Sequence, residues 1–253
     1  MATETSLLSH IAVVLVRPKN AENIGAAARI CWNMGIERLI LVRDSLPERE
    51  PMAKMATHKA AHLIDTLELH SNLGDALSSF SIVVGTTARR GRQRFVHQTP
   101  REMVDALLPQ LANNQIAIIF GPEDTGLTND DLKYCQMTSA IPTADFSSIN
   151  LAQAVAIHCY ELHYGIIHAG KDMAPAPQLA TSFELESMYT YLEKSLYTIG
   201  FIEEVSCAHW MGTIRNFFNR ITLTSKDANI VRGICKKFLF HTKSNPAEPD
   251  TIL

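Results

Sequence analysis

Ile116-Ala117-Ile118-Ile119-Phe120-Gly121-Pro122-Glu123-Asp124-Thr125-Gly126-Leu127 runs from an apolar segment straight into a loop that holds two glycines. The apolar part does not alternate with polar residues, which is the pattern of a strand covered on both faces. Glycine permits positive φ and lets a ligand approach the backbone closely. In an open α/β sheet, ligands gather outside the carboxyl ends of the strands. The same succession recurs where Ser81–Gly85 leads into Thr86-Thr87-Ala88, and where Met137–Ile141 leads into Pro142. Ile11–Val16 and Leu39–Val42 are further buried-strand runs. Between these lie segments with helical patterning, Ala21–Met34, Leu73–Phe80, Arg101–Ala112 and Asn129–Tyr134. Strands alternating with helices predict an α/β domain with a parallel sheet.

The first helix has readable ends. Asn20 or Asn23 can cap it and Gly35 can end it, with Ile24, Ala27, Ala28, Cys31 and Met34 facing the sheet. Ser147 or Ser148 is expected to cap the last helix of the domain, which continues through Leu151, Val155, Cys159 and Leu162. Gly170 to Pro177 has the composition of a linker. Beyond it strand signals stop, and Glu184–Tyr197, His209–Ile221 and Lys226–Phe240 look helical, followed by a proline-containing tail. The expected division is a domain over 1–169, a linker over 170–180 and a small helical appendage over 181–253.

The 253 residues are 46% hydrophobic and 19% charged, enough to bury a sizeable core without staples. A net charge of −3 argues against a protein that coats nucleic acid by charge alone, but leaves room for a local basic face. Five scattered cysteines with no CxxC pair read as buried thiols in a reducing compartment. Neither a signal peptide nor an apolar membrane span is visible, so a cytoplasmic protein is expected. The scattered histidines suggest no metal site.

Three strand-ending loops could line one pocket, although a single loop of this kind is most often only a turn. No GxGxxG and no Walker A lysine is present, which lowers the nicotinamide-oxidoreductase and nucleoside-triphosphatase readings. Arg29 sits on a helix otherwise made of small and apolar residues; on spacing alone it is a surface arginine or a partner of Glu22 at i, i+7. Positive charge gathers in two places. Arg89, Arg90, Arg92 and Arg94 fall within six residues, and 211–243 carries seven Lys or Arg, among them Arg215 and Arg220, against one acid, Asp227. Both runs suit RNA phosphates, though solvated charge is the usual explanation of such runs.

Taken in order, these pieces resemble the three motifs of the SpoU/TrmH family of the SPOUT methyltransferases. Asn23, Ala26 and Arg29 match its N-x-x-A-x-x-R. Gly121, Glu123, Gly126 and Leu127 match its G-x-E-x-x-G-L. Ile141-Pro142 with Ser148 and Asn150 match its third motif. The resemblance extends to the TrmJ-like, tRNA-methylating subgroup through Gly85-Thr86-Thr87-Ala88-Arg89, Gly126-Leu127-Thr128-Asn129, Tyr160-Glu161-Leu162, Phe218-Asn219-Arg220 and Arg232-Gly233. Pro122 and Asp124 stand where the subgroup often has arginine, a departure that bears on the choice of RNA target.

The resemblance implies methylation of an RNA ribose 2′-hydroxyl with S-adenosylmethionine, most readily in tRNA at the first nucleotide of the anticodon loop. A ribosomal RNA substrate and a noncatalytic RNA-binding relative are the alternatives. It also implies a C-terminal trefoil knot, which pattern reasoning would not propose, and a homodimer paired through the knot region, with Arg29 close to the partner's cofactor. The implied catalytic set is Arg29 with Asn23, Glu123, Ser148 and Asn150, the last three fixing Arg29 and the loops. The implied cofactor contacts are Thr86, Thr87, Ala88, Gly121, Glu123, Gly126, Ile141, Ser147, Ser148, Ile149 and Leu151.

Overall fold

The computed structural model describes residues 7–88, 97–169 and 176–244. The chain divides into two compact units at the Pro177–Gln178 junction. In the first unit, strands β1 (Ile11–Val16), β2 (Arg38–Val42), β3 (Glu68–His70), β4 (Ile82–Thr86), β5 (His97–Gln98), β6 (Ile116–Phe120) and β7 (Met137–Ser139) form one sheet in the order β3-β2-β1-β6-β4-β7-β5. Every neighbouring pair is parallel. β1 and β6 are buried at every residue, as their unbroken apolar sequences require of strands covered on both faces.

The helices of this unit are α1 (Ala21–Asn33), α2 (Arg49–Asp65), α3 (Leu73–Leu77), α4 (Pro100–Leu107), α5 (Asn129–Leu132) and α6 (Leu151–His168). Ile24, Ala27, Ala28 and Cys31 of α1 are fully buried as the spacing predicts, and Gly35 follows the helix with φ +72°. Several expected boundaries move; the helices expected over Leu73–Phe80 and Asn129–Tyr134 end at Leu77 and Leu132. The helix expected over Arg101–Ala112 stops at Leu107, because Pro109 has no N–H to continue the ladder, and a single 3₁₀ turn follows. The strand expected over Met137–Ile141 ends at Ser139, where the chain turns off into the loop before α6.

Helix α2 and strand β3 had no clear sequence signal. Thr57 breaks α2 with φ 61° and ψ 171°, yet the buried residues Met52, Ala56, Ala60, Leu63 and Ile64 keep helical spacing across it; Ala53, Met55 and Ala61, off that buried face, blur the pattern in the sequence. α2 nonetheless lies tight against α1. A Cβ on Gly25 would stand 2.0 Å from the Met52 carbonyl oxygen, so the helices meet at this distance only because residue 25 has no side chain.

The second unit contains α7 (Ser182–Thr198), α8 (Cys207–Phe218) and α9 (Ser225–Ser244), near the expected spans. Thr181 and Glu184 form a capping box at the start of α7. Met188, Tyr189, Ile202, Met211 and Ala228 are among its core residues. The residues between 170 and 175 and those beyond 244 lie outside the described part of the chain.

Candidate functional site

The carboxyl ends of β4, β6 and β7 open into a cleft of about 230 Å³. Thr86, Thr87 and Ala88 line it from the β4 loop, and Gly121, Glu123 and Gly126 from the β6 loop. Ile141, Ser147, Ser148, Ile149 and Leu151 line it from the loop that leads into α6. The three segments are far apart in sequence and meet because β4, β6 and β7 are adjacent in the sheet.

The β6 loop is a tight turn closed by the Gly126 N–H donating to the Pro122 carbonyl at 2.9 Å. Gly126 has φ +63°, where side chains are strained. A Cβ on Gly121 would stand 2.3 Å from the Leu127 nitrogen, so the loop can fold back over residue 121 only if it is glycine. The Thr87 N–H donates to the Ser139 carbonyl at 2.9 Å, and the Thr86 hydroxyl to the Ile119 carbonyl at 3.0 Å, tying the β4 loop to its neighbours.

Three residues of the expected catalytic set form one hydrogen-bonded chain. Asn150 Nδ2 donates to Asn23 Oδ1 at 3.1 Å, and Asn23 Nδ2 donates to Glu123 Oε1 at 2.7 Å. Glu123 accepts two more bonds, from the backbone N–H groups of Lys19 at 2.8 Å and Asn20 at 3.2 Å. Partial burial pushes the Glu123 carboxyl up, but the bonds from Asn23 and the two backbone groups outweigh it and hold the carboxyl below its ordinary value. Glu123 is thus an ionised acceptor that locks the start of α1 to the β6 loop. Asn150 Oδ1 accepts from the Ala152 and Gln153 N–H groups. The cap of α6 is therefore Asn150 and not Ser147 or Ser148, both of which lie exposed along the cleft. Sequence reading placed the cap too early because serine and asparagine serve equally well there.

Arg29 stands apart. It is exposed and makes no hydrogen bond or ion pair with any described residue, so Glu123, Ser148 and Asn150 do not fix it within one chain. Six residues of helix carry Arg29 about 9 Å beyond Asn23 and roughly 120° around the axis. Glu22 is no partner either, since seven residues separate the two by about 10.5 Å along the helix.

The cleft also contains residues that sequence reading missed. His158 lies on its floor, 1% exposed, with Nδ1 2.8 Å from the Ala154 carbonyl and Nε2 3.0 Å from the Ser139 hydroxyl. A carbonyl can only accept, so Nδ1 carries the proton and Ser139 donates to Nε2. Burial pushes the imidazole down to about 4, against which the Ala154 bond acts only partly. An isolated histidine on an apolar helix gave no signal of this role. Asp124, the departure from the subgroup pattern, pairs with Lys19 Nζ at 2.5 Å, which lowers its carboxyl.

Of the residues expected to meet RNA, Arg89, Arg90, Arg92 and Arg94 lie outside the described residues. Arg215 forms a bidentate pair with Glu186 and lies over the Tyr189 ring at 4.2 Å, so its guanidinium is engaged within the second unit. Arg220 is exposed. Among the described residues no group of His, Cys, Asp or Glu could hold a metal, and no helix is long and apolar enough to cross a membrane.

Both units of the chain are similar to known proteins. Residues 10–160 match the SpoU rRNA methylase family, and residues 183–248 match the C-terminal domain of the tRNA methyltransferase TrmJ. The chain is 36% identical to the tRNA (cytidine/uridine/adenosine-2′-O-)-methyltransferase TrmJ of Pseudomonas aeruginosa, covering 90% of this chain and 93% of that protein. It is 32% identical to the tRNA (cytidine/uridine-2′-O-)-methyltransferase TrmJ of Escherichia coli, covering 96% and 100%. The crystal structure of TrmJ from Z. mobilis superposes with a TM-score of 0.77 at 30% identity, over 90% of this chain and 98% of that one.

Proposed function

The chain belongs to the SpoU methylase family, and from that membership we propose that it is an RNA 2′-O-methyltransferase that uses S-adenosylmethionine to methylate a ribose of tRNA. The observation that carries this reading is the cleft at the ends of β4, β6 and β7, joined to α1 through Asn150, Asn23 and Glu123. The acceptor is the first nucleotide of the anticodon loop, by the resemblance set out above.

The cleft suits the cofactor. Its walls are mostly glycine, threonine, serine and apolar residues, with Glu123, Asp124 and His158 as the titratable groups, and the folded β6 loop would be filled by a Cβ at Gly121. When bound, the cofactor supplies an activated sulfonium methyl. The residues of the chain must then orient the ribose hydroxyl in line with that methyl and help its proton leave. The carboxylate of Glu123 has three donors already and acts as a brace rather than a base. Arg29 is free to meet the RNA. A guanidinium is a very poor base, so Arg29 orients a phosphate or stabilises the developing alkoxide.

The homodimer and the knot belong to the same proposal. On α6, Ile157, Tyr160, Tyr164 and Ile167 follow one another at three- and four-residue spacing and are 36% to 49% exposed, a stripe of apolar surface suited to a second copy. Pairing there would supply Arg29 with the partner it lacks among the described residues. Arg220 and the 89–94 arginines would contact RNA, and the compartment would be the cytoplasm.

The test is incubation of the protein with S-adenosylmethionine and unmodified tRNA or ribosomal RNA, with nucleoside mass spectrometry as readout. A 2′-O-methylnucleoside in tRNA is the expected result. Its appearance only in ribosomal RNA favours the alternative substrate, and its absence from both refutes the reading. Light scattering at micromolar concentration checks the dimer.

A further inference from the structure

A second hollow lies beside the cleft, at the carboxyl ends of β1, β2 and β3. Its volume is about 680 Å³, within the range of small-ligand sites. The two hollows share a wall. Arg17, Pro18 and Lys19 line the crevice, while Lys19 holds Glu123 through its backbone and Asp124 through its Nζ, both residues of the cleft.

The crevice carries four cations. Arg17 gives one nitrogen to Asp131 at 2.5 Å, and Lys19 is held by Asp124. Arg43 and Lys133 meet no carboxylate among the described residues. Among the described residues the Arg43 guanidinium makes one long bond, of 3.4 Å to the Pro18 carbonyl, and Lys133 lies 5.3 Å from the centre of the Tyr134 ring. Asp131 is neutralised by Arg17 and bonded to Thr128, which leaves Asp44 and Asp130 as the acids at the exposed edge. These acids do not gather into a group that could hold a metal.

The backbone supplies a second, independent observation. Arg17 has φ +50°, a conformation that costs a non-glycine residue energy and persists where the surrounding structure enforces it, often at ligand sites. It places an arginine at the junction of the two hollows.

The geometry points to this crevice as the seat of a nucleotide adjacent to the acceptor, its phosphodiester held by Arg43 and Lys133. This rests on the reading of RNA as substrate. Two cations without a carboxylate partner among the described residues suit a discrete phosphate contact that fixes register, as opposed to a broad basic surface. It also accounts for RNA engagement by a chain whose net charge is negative.

The experiment compares the wild type with Arg43→Gln/Lys133→Gln. Arg17 is left in place because its loss would strand the buried Asp131. Anisotropy with a labelled, unmodified tRNA transcript is measured across a salt series, with calorimetry of S-adenosylhomocysteine and a melting curve as controls. The double variant is expected to keep its melting temperature and cofactor affinity, and to bind RNA about tenfold more weakly at moderate salt. Its slope of log affinity against log salt falls by about 0.7 for each lost phosphate contact. Unchanged affinity and slope in the variant, with a wild type that binds RNA, overturn the crevice alone. A wild type that binds no RNA overturns the crevice and the substrate reading together.

Discussion

Replacing Thr57 with glycine should make the protein more stable, although it removes side-chain atoms from a packed helix. Thr57 holds φ 61° and ψ 171°, a region populated almost only by glycine, and it is β-branched. Strain of this kind costs about 1–3 kcal/mol. Against its relief stand the greater chain entropy of glycine, about 0.5–1 kcal/mol, and the loss of a half-buried methyl, about 0.4 kcal/mol. The middle of these ranges leaves a gain of about 1 kcal/mol, or a rise of about 2–4 °C in the melting temperature of a unit this size. Urea denaturation of Thr57→Gly and Thr57→Ala decides the matter. Alanine keeps a Cβ and therefore the strain, so it should be no more stable than the wild type. The reasoning is refuted if glycine lowers the urea midpoint, or if alanine raises it equally. Thr57 lies outside the cleft, so affinity for S-adenosylhomocysteine should not change.

Arg29→Ala should abolish single-turnover methylation while leaving cofactor affinity intact, and Arg29→Lys should recover little, because a point charge lacks the planar fork. Glu22→Ala should have no effect on either, and near-normal turnover in Arg29→Ala would show that the arginine is not catalytic. Asn150→Ala removes the cap of α6 and the donor to Asn23, so calorimetry should report a loss of about 1–2 kcal/mol together with weaker cofactor binding. His158 is neutral in the folded chain down to about 4, against 6.5 for its ordinary value. Between these values only the unfolded chain takes up the proton, so stability falls as pH falls, by about 2 kcal/mol between about pH 8 and about pH 5. Urea midpoints of His158→Gln at both values should show that much less acid loss. Gly121→Ala should cost most of the cofactor affinity, since its Cβ would drive the β6 loop off the Leu127 nitrogen, and an unchanged titration would contradict this.

The parallel sheet was legible because β1 and β6 are written as unbroken apolar runs, and a strand covered on both faces has no other way to be encoded. The glycines of the β6 loop and the small residues of α1 were likewise readable, each as a local conformational requirement. α2 was not, because Ala53, Met55 and Ala61 add apolar residues off its buried face and blur the period on which helix reading depends. The cap of α6 was misplaced because three acceptable capping residues lie within four positions, and only the packed loop shows that Asn150 faces both the helix and Asn23. His158 became part of the site only when β7 placed Ser139 beneath it. The crevice behind Arg17 has the same origin. Its cations come from segments as distant in the chain as Arg17 and Lys133 and meet because the strands run in register with their carboxyl ends on one edge. Sequence encodes what each residue can do with its near neighbours along the chain. Which residues become neighbours across it is decided by the sheet order, since only packing sets strand adjacency.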